Sequence, residues 1–121
     1  MRVILMLSAL LSLTTISATG GEQLRIAASP IMSFAPSNLR VLTRLVPDAE
    51  NRTLDVIVDS GEFYRSSQIP LEGEKAPAII TVEFRDLPKG EYEVAGVLTD
   101  SAGARRAVAR QRVTVIARGG E

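Results

Sequence analysis

From residue 53 to residue 59 the chain alternates: Leu54, Val56 and Val58 fall on one side, Asp55 and Asp59 on the other. A period of two with one dry side and one wet side predicts a half-exposed β-strand. The same period recurs at 38–46, where Leu39, Val41, Thr43 and Leu45 oppose Arg40 and Arg44. It returns at 78–84 with Ile80, Val82 and Phe84, and at 91–99 with Tyr92, Val94, Gly96 and Leu98. Residues 24–27 and 63–69 predict shorter strands, the second an edge strand closed by Pro70. Residues 105–116 predict a closing strand with Val113 and Val115 inward, and its uneven pattern calls for a bulge. Pro30 and Pro36 break the leading segment, as suits an edge strand that hops between sheets. Turn formers separate the strands at 47–52, 60–61, 72–77 and 100–103. No helical period follows residue 20. About seven short strands at roughly 8–12-residue spacing predict an all-β, two-sheet antiparallel Greek-key sandwich.

The run Leu87-Pro88-Lys89-Gly90-Glu91-Tyr92 predicts a tight corner between two of these strands. Pro88 fixes φ and cannot donate to a ladder, and Gly90 permits a positive φ. A tyrosine just past such a corner folds its hydroxyl back onto the upstream backbone. Tyr92 is therefore expected to bond the backbone near Asp86 or Leu87, with its ring under the corner.

With this corner, the strand order and the Asp100-Ser101-Ala102-Gly103 hairpin, residues 38–117 resemble immunoglobulin-like and fibronectin type III-like domains of exported bacterial proteins. The resemblance implies a fold and no particular activity. It departs from true immunoglobulins. Val94 stands where a disulfide cysteine would follow the tyrosine, and Val56 stands in for the usual core tryptophan. A transthyretin-like or carboxypeptidase-regulatory-type accessory sandwich uses a similar corner and stays open as an alternative.

The first residues differ from the rest. Arg2 precedes an apolar run, 3–13, and Ala18-Thr19-Gly20 fits a small-x-small cleavage pattern. Residues 1–20 are read as a signal helix that is cleaved, because the apolar run is about half of what a membrane span needs. The expected organisation is then a signal at 1–20, a leading segment with an edge strand at 21–37, the sandwich at 38–117 and a frayed tail at 118–121. Export to the periplasm, cell surface or medium follows, with no membrane span after cleavage.

Fourteen basic and fourteen acidic residues balance, which argues against nucleic acid as a partner. The chain has no histidine and no cysteine, so Ser-His and Cys-His nucleophiles and thiolate zinc are out of reach. Ser66 and Ser67 beside Arg65 have no base, and Lys75 and Lys89, the only lysines, fall in loops. Asp55 and Asp59 are about 13 Å apart at strand rise, too far for a carboxylate pair. No catalytic residue, cofactor or metal is expected. Asp48, Glu50, Asn51 and Asp100 offer hard oxygens for calcium, against a simpler role in turns. Asn51-Arg52-Thr53 matches a glycosylation sequon in a turn, which implies an exposed asparagine.

Two surface features remain. Arg106, Arg110 and Arg112 share the outward parity of the last strand, either as edge protection or as a basic face for an acidic partner such as a polysaccharide or lipid headgroup. Ile57, Ala95, Val97 and Val108 also point outward, and three adjacent strands would carry them as an apolar stripe. The expected function is a non-enzymatic exported module for protein binding or spacing at the cell envelope. The alternative is a structural subunit that assembles by strand exchange through its leading segment, or by self-association of that sheet face.

Overall fold

A computed structural model describes residues 23–119. The expected signal helix lies outside the described residues, as do Gly120 and Glu121 of the expected tail. Eight strands follow in order: β1 (Leu24–Ser29), β2 (Met32–Phe34), β3 (Ser37–Leu45), β4 (Thr53–Asp59), β5 (Tyr64–Pro70), β6 (Ile79–Leu87), β7 (Gly90–Thr99) and β8 (Arg105–Ile116). They form a small sheet, β1-β3-β6, and a large sheet, β2-β8-β7-β4-β5. The chain crosses between sheets after β1, β2, β3, β5 and β6.

The period-two expectation holds on both sheets. Leu54, Val56 and Val58 of β4 and Tyr92, Val94 and Leu98 of β7 are fully buried. They meet Leu24 and Ile26 of β1, Leu39 and Val41 of β3 and Phe84 of β6 in one core. Val113 and Val115 of β8 close it. Gly96 is the thin point: a Cβ there would lie 3.0 Å from Ile26 Cγ2, so the glycine lets β1 cross β7 closely without displacing Ile26.

The hop foreseen at Pro30 is present. β1 pairs antiparallel with β3, and β2 pairs parallel with β8. β2 itself was not legible, because a three-residue strand carries too little period to read. Near the end of β1 the gap to β8 is bridged by a side chain. Gln111 Oε1 accepts from Ala28 N at 3.0 Å, and its Nε2 donates to Ala28 O at 2.9 Å. The expected polar loop at 72–77 contains a single 3-10 turn, Gly73–Lys75.

The corner forms, with two shifts. Tyr92 is fully buried and its hydroxyl donates to Pro88 O at 2.6 Å, one residue later than Leu87. Its ring meets Phe63 edge-on, with centroids 6.3 Å apart. The positive φ sits on Asp86, at 57°, whose N–H donates to Asn38 Oδ1. Gly90 has φ 158°, close to extended, and its value is steric: a Cβ would lie 3.1 Å from Ser60 Cβ. Leu87 fills the corner from beneath, fully buried, while Pro88 stays exposed.

Burial raises the Tyr92 pKa, outweighing the nearby Ser60 hydroxyl and Arg65 charge that lower it. Folding thus favours the neutral phenol. Its contribution is complete below the ordinary tyrosine pKa of about 10 and is lost as pH rises through the raised value. Tyr92→Phe is expected to cost about 1–2 kcal/mol in urea unfolding at neutral pH. The variant should also lose part of the alkaline destabilisation that the parent shows, read by melting temperature against pH.

Candidate functional site

The turn between β3 and β4 is built around one amide. Asn51 is fully buried. Its Nδ2 donates to Val46 O at 3.1 Å and its Oδ1 accepts from Arg106 Nη1 at 2.7 Å. The expectation of an exposed sequon asparagine is therefore wrong: the turn folds inward, and its amide is spent on Val46 O and the Arg106 guanidinium. Glycosylation at Asn51 does not fit the folded chain.

Arg106 is corrected as well. Leu98 pairs with Ala107 and Thr99 with Arg105, so Arg106 is the extra residue of the foreseen bulge. The bulge takes it out of the outward series. Its guanidinium reaches Asp48, with Nη1 to Oδ1 at 3.3 Å and Nη2 to Oδ2 at 3.4 Å. Asp48 Oδ1 also accepts from Glu50 N at 2.8 Å. That bond, and then Arg106, outweigh burial and hold the Asp48 carboxyl below its ordinary range. The oxygens of Asp48 and Asn51 thus converge on a guanidinium already present. Asp100 Oδ1 accepts from Ala102 N and Ala104 N in the β7–β8 hairpin, and Ser101 Oγ donates to Glu50 Oε1. Among the described residues no group of three or more potential metal ligands converges.

The outer face of the large sheet brings the predicted stripe together. Ile57 pairs with Ala95 and Val97 with Val108, on adjacent rows of β4, β7 and β8. All are half-buried. Arg110 lies on the same face with its Nε 3.7 Å from Glu93 Oε2, and Arg112 is exposed in the next row. The basic face foreseen on β8 is thus reduced to Arg110, paired, and Arg112. Asp55 and Asp59 also face outward and do not form a pair with each other.

The most exposed apolar side chains of this face were missed. Met32 and Phe34 are 62% and 54% exposed, and their register with Thr114 and Ile116 sets them on the outward side. Tyr64 stands opposite Asp59 at the other edge, 61% exposed. Ile116 is exposed beside Phe34, and the Arg118 guanidinium lies 5.7 Å from the Phe34 ring centroid. The missing signal was β2: without that strand, Met32 and Phe34 have no readable face.

No family model matches the chain, and no curated protein sequence matches it. Solved structures do. A superoxide reductase (neelaredoxin) from Ignicoccus hospitalis is similar with a TM-score of 0.61 at 16% identity, over 83% of this chain and 85% of that one. The CARDB domain of the PF1109 protein from Pyrococcus furiosus, in complex with di-metal ions, gives 0.50 at 15% identity, over 84% and 97%. The PmoD soluble domain from Methylocystis sp. gives 0.49 at 14%, over 76% and 90%. At such identities the first two likenesses are of fold alone: small all-β domains.

Two outcomes check the hub. Asn51→Ala should cost about 2–3 kcal/mol in urea unfolding, because it strands Val46 O and Arg106, whereas Arg110→Gln should stay within about 0.5 kcal/mol. The depressed Asp48 pKa contributes stability above the ordinary carboxylate value of about 3.9 and loses it as pH falls through the folded value. Asp48→Asn should therefore flatten the stability curve below about pH 4, read by unfolding at stepped pH.

Proposed function

We propose that the chain is a non-enzymatic, exported, immunoglobulin-like module that binds a protein through the outer face of its large sheet. The observation that carries this is the apolar stripe on that face, Ile57, Ala95, Val97 and Val108; a second apolar group, Met32, Phe34 and Ile116, stands at the β2 edge beyond the rows of Glu93 with Arg112 and Glu91 with Thr114. A face that meets only water has no use for such a grouping. The fold supports the immunoglobulin-like reading. On this reading the three-stranded sheet takes the places of strands A, B and E, and the five-stranded sheet those of A′, G, F, C and C′.

Redox chemistry does not carry over from the superoxide reductase. The chain lacks histidine and cysteine, the imidazole and thiolate ligands that proteins commonly give to redox iron. Assembly by strand exchange is the weaker alternative, because β1 and β2 are paired within their own chain.

A photocrosslinking residue at Val97 should capture a discrete partner, or a second copy, when the protein is expressed in its own host. The same residue at Thr81, on the opposite sheet, should not. Val108→Lys, which sets a cation beside position 97 on the neighbouring strand, should abolish that capture with the melting temperature nearly unchanged. No adduct at Val97, or equal capture from Thr81, would overturn the assignment.

A further inference from the structure

The outward positions of the small sheet are Arg25, Ala27 and Ser29 on β1, Arg40, Leu42 and Arg44 on β3, and Ile79, Thr81, Glu83 and Arg85 on β6. Four arginines thus share one face with one carboxylate. Glu83 is taken by Arg85 at 3.3 Å, although its cross-strand neighbour is Arg40. Arg25 and Arg44 stand directly opposite each other across β1 and β3. Like charges in that register destabilise a sheet. Among the described residues neither makes an ion pair, and neither does Arg40. A chain of zero net charge therefore carries a concentrated positive field on one side.

The surroundings of the arginine pair are apolar. Arg25 and Arg44 flank a shallow depression of about 410 Å³ whose other walls are Leu45, Val46, Pro47 and Ala78. Val46 is 53% exposed, and Ile79, in register with Arg44, is 47% exposed. The described chain enters at this edge, where Val46 N donates to Gln23 O. Cations beside protruding aliphatic side chains are what an anionic bilayer surface recognises. The charges meet headgroup phosphates while the aliphatic groups enter the interface.

We propose that the outer face of the small sheet docks on an anionic phospholipid surface, with Arg25, Arg40 and Arg44 on the phosphates and Val46 and Ile79 in the interfacial layer. The sequence had placed the basic face on β8. The structure leaves unpaired arginines on the other sheet, facing away from the proposed protein-binding face, so both faces can be occupied at once.

The test is vesicle flotation of the full chain. Phosphatidylglycerol in phosphatidylcholine is compared with phosphatidylcholine alone, so that binding by residues 3–13 is common to both. The anionic vesicles should bind more protein, and added salt should remove the difference. Arg25→Gln with Arg44→Gln should lower anionic binding on the order of twenty-five-fold, about fivefold per charge. Melting should hold or rise, since a repulsive pair is gone. Arg110→Gln removes one charge from the opposite face and should change binding less than about twofold. Equal binding to both vesicles, or an Arg110 effect matching that of a single Arg25→Gln change, overturns the proposal. So does release by millimolar glycerol phosphate, which would mark a site for free phosphate. Capture of polyglutamate through Arg25 and Arg44 would mark an acidic protein and overturn it equally.

Discussion

The two sheets are held together mainly by apolar contact. No cysteine exists to bridge them, so side chains such as Val56, Val94, Leu39 and Val41 must exclude water without help. Apolar packing is non-directional and does not fix how one layer sits over the other. Direction comes from three polar side chains at the margins. Tyr92 ties the β6–β7 corner to its own strand, Asn51 ties the β3–β4 turn to β8 through Arg106, and Gln111 ties β8 to the edge of β1. Each contacts backbone as well as, for Asn51, another side chain. Among the described residues no buried side-chain polar atom lacks a partner. A fully satisfied polar group specifies geometry, while an unsatisfied one would cost more than it adds.

The parts legible in the sequence were those governed by one strand at a time. Leu54, Val56 and Val58 could be assigned inward because a strand's period belongs to its own residues. Tyr92 could be assigned because its partner, Pro88, is four residues away. The parts that were not legible depend on residues far apart in the chain. Asn51 looks like an ordinary turn residue until Arg106, fifty-five positions later, is brought against it. Arg106 looks outward until the bulge shifts the count by one. Met32 and Phe34 look like linker until β8 supplies a ladder for them. A bulge can be suspected from an uneven pattern, but the residue it displaces is fixed only by the partner strand.

Balanced composition hides an uneven surface. On the large sheet, outward charges occur as acid and base together, as with Glu93 and Arg110 around the apolar stripe. On the small sheet the outward charges are mostly arginine and mostly unpaired. The parity rule that fills the core from both sheets also leaves two outer faces pointing in opposite directions. Those faces differ in chemistry.

The course of the leading segment has a mechanical consequence. Ala28 is held by Gln111, Ile31 O accepts from Thr114 N, and Ala35 N donates to Ile116 O. Both stretches advance together, so the first and last strands run the same way and the chain enters at one end of the barrel-like stack and leaves at the other. Tension applied between the two ends would drag β2 along β8 in shear. Bonds loaded in shear share the force and must fail together, whereas a hairpin pulled from its open end fails one bond at a time. A module strung between a surface and a partner would meet that load along its strongest direction.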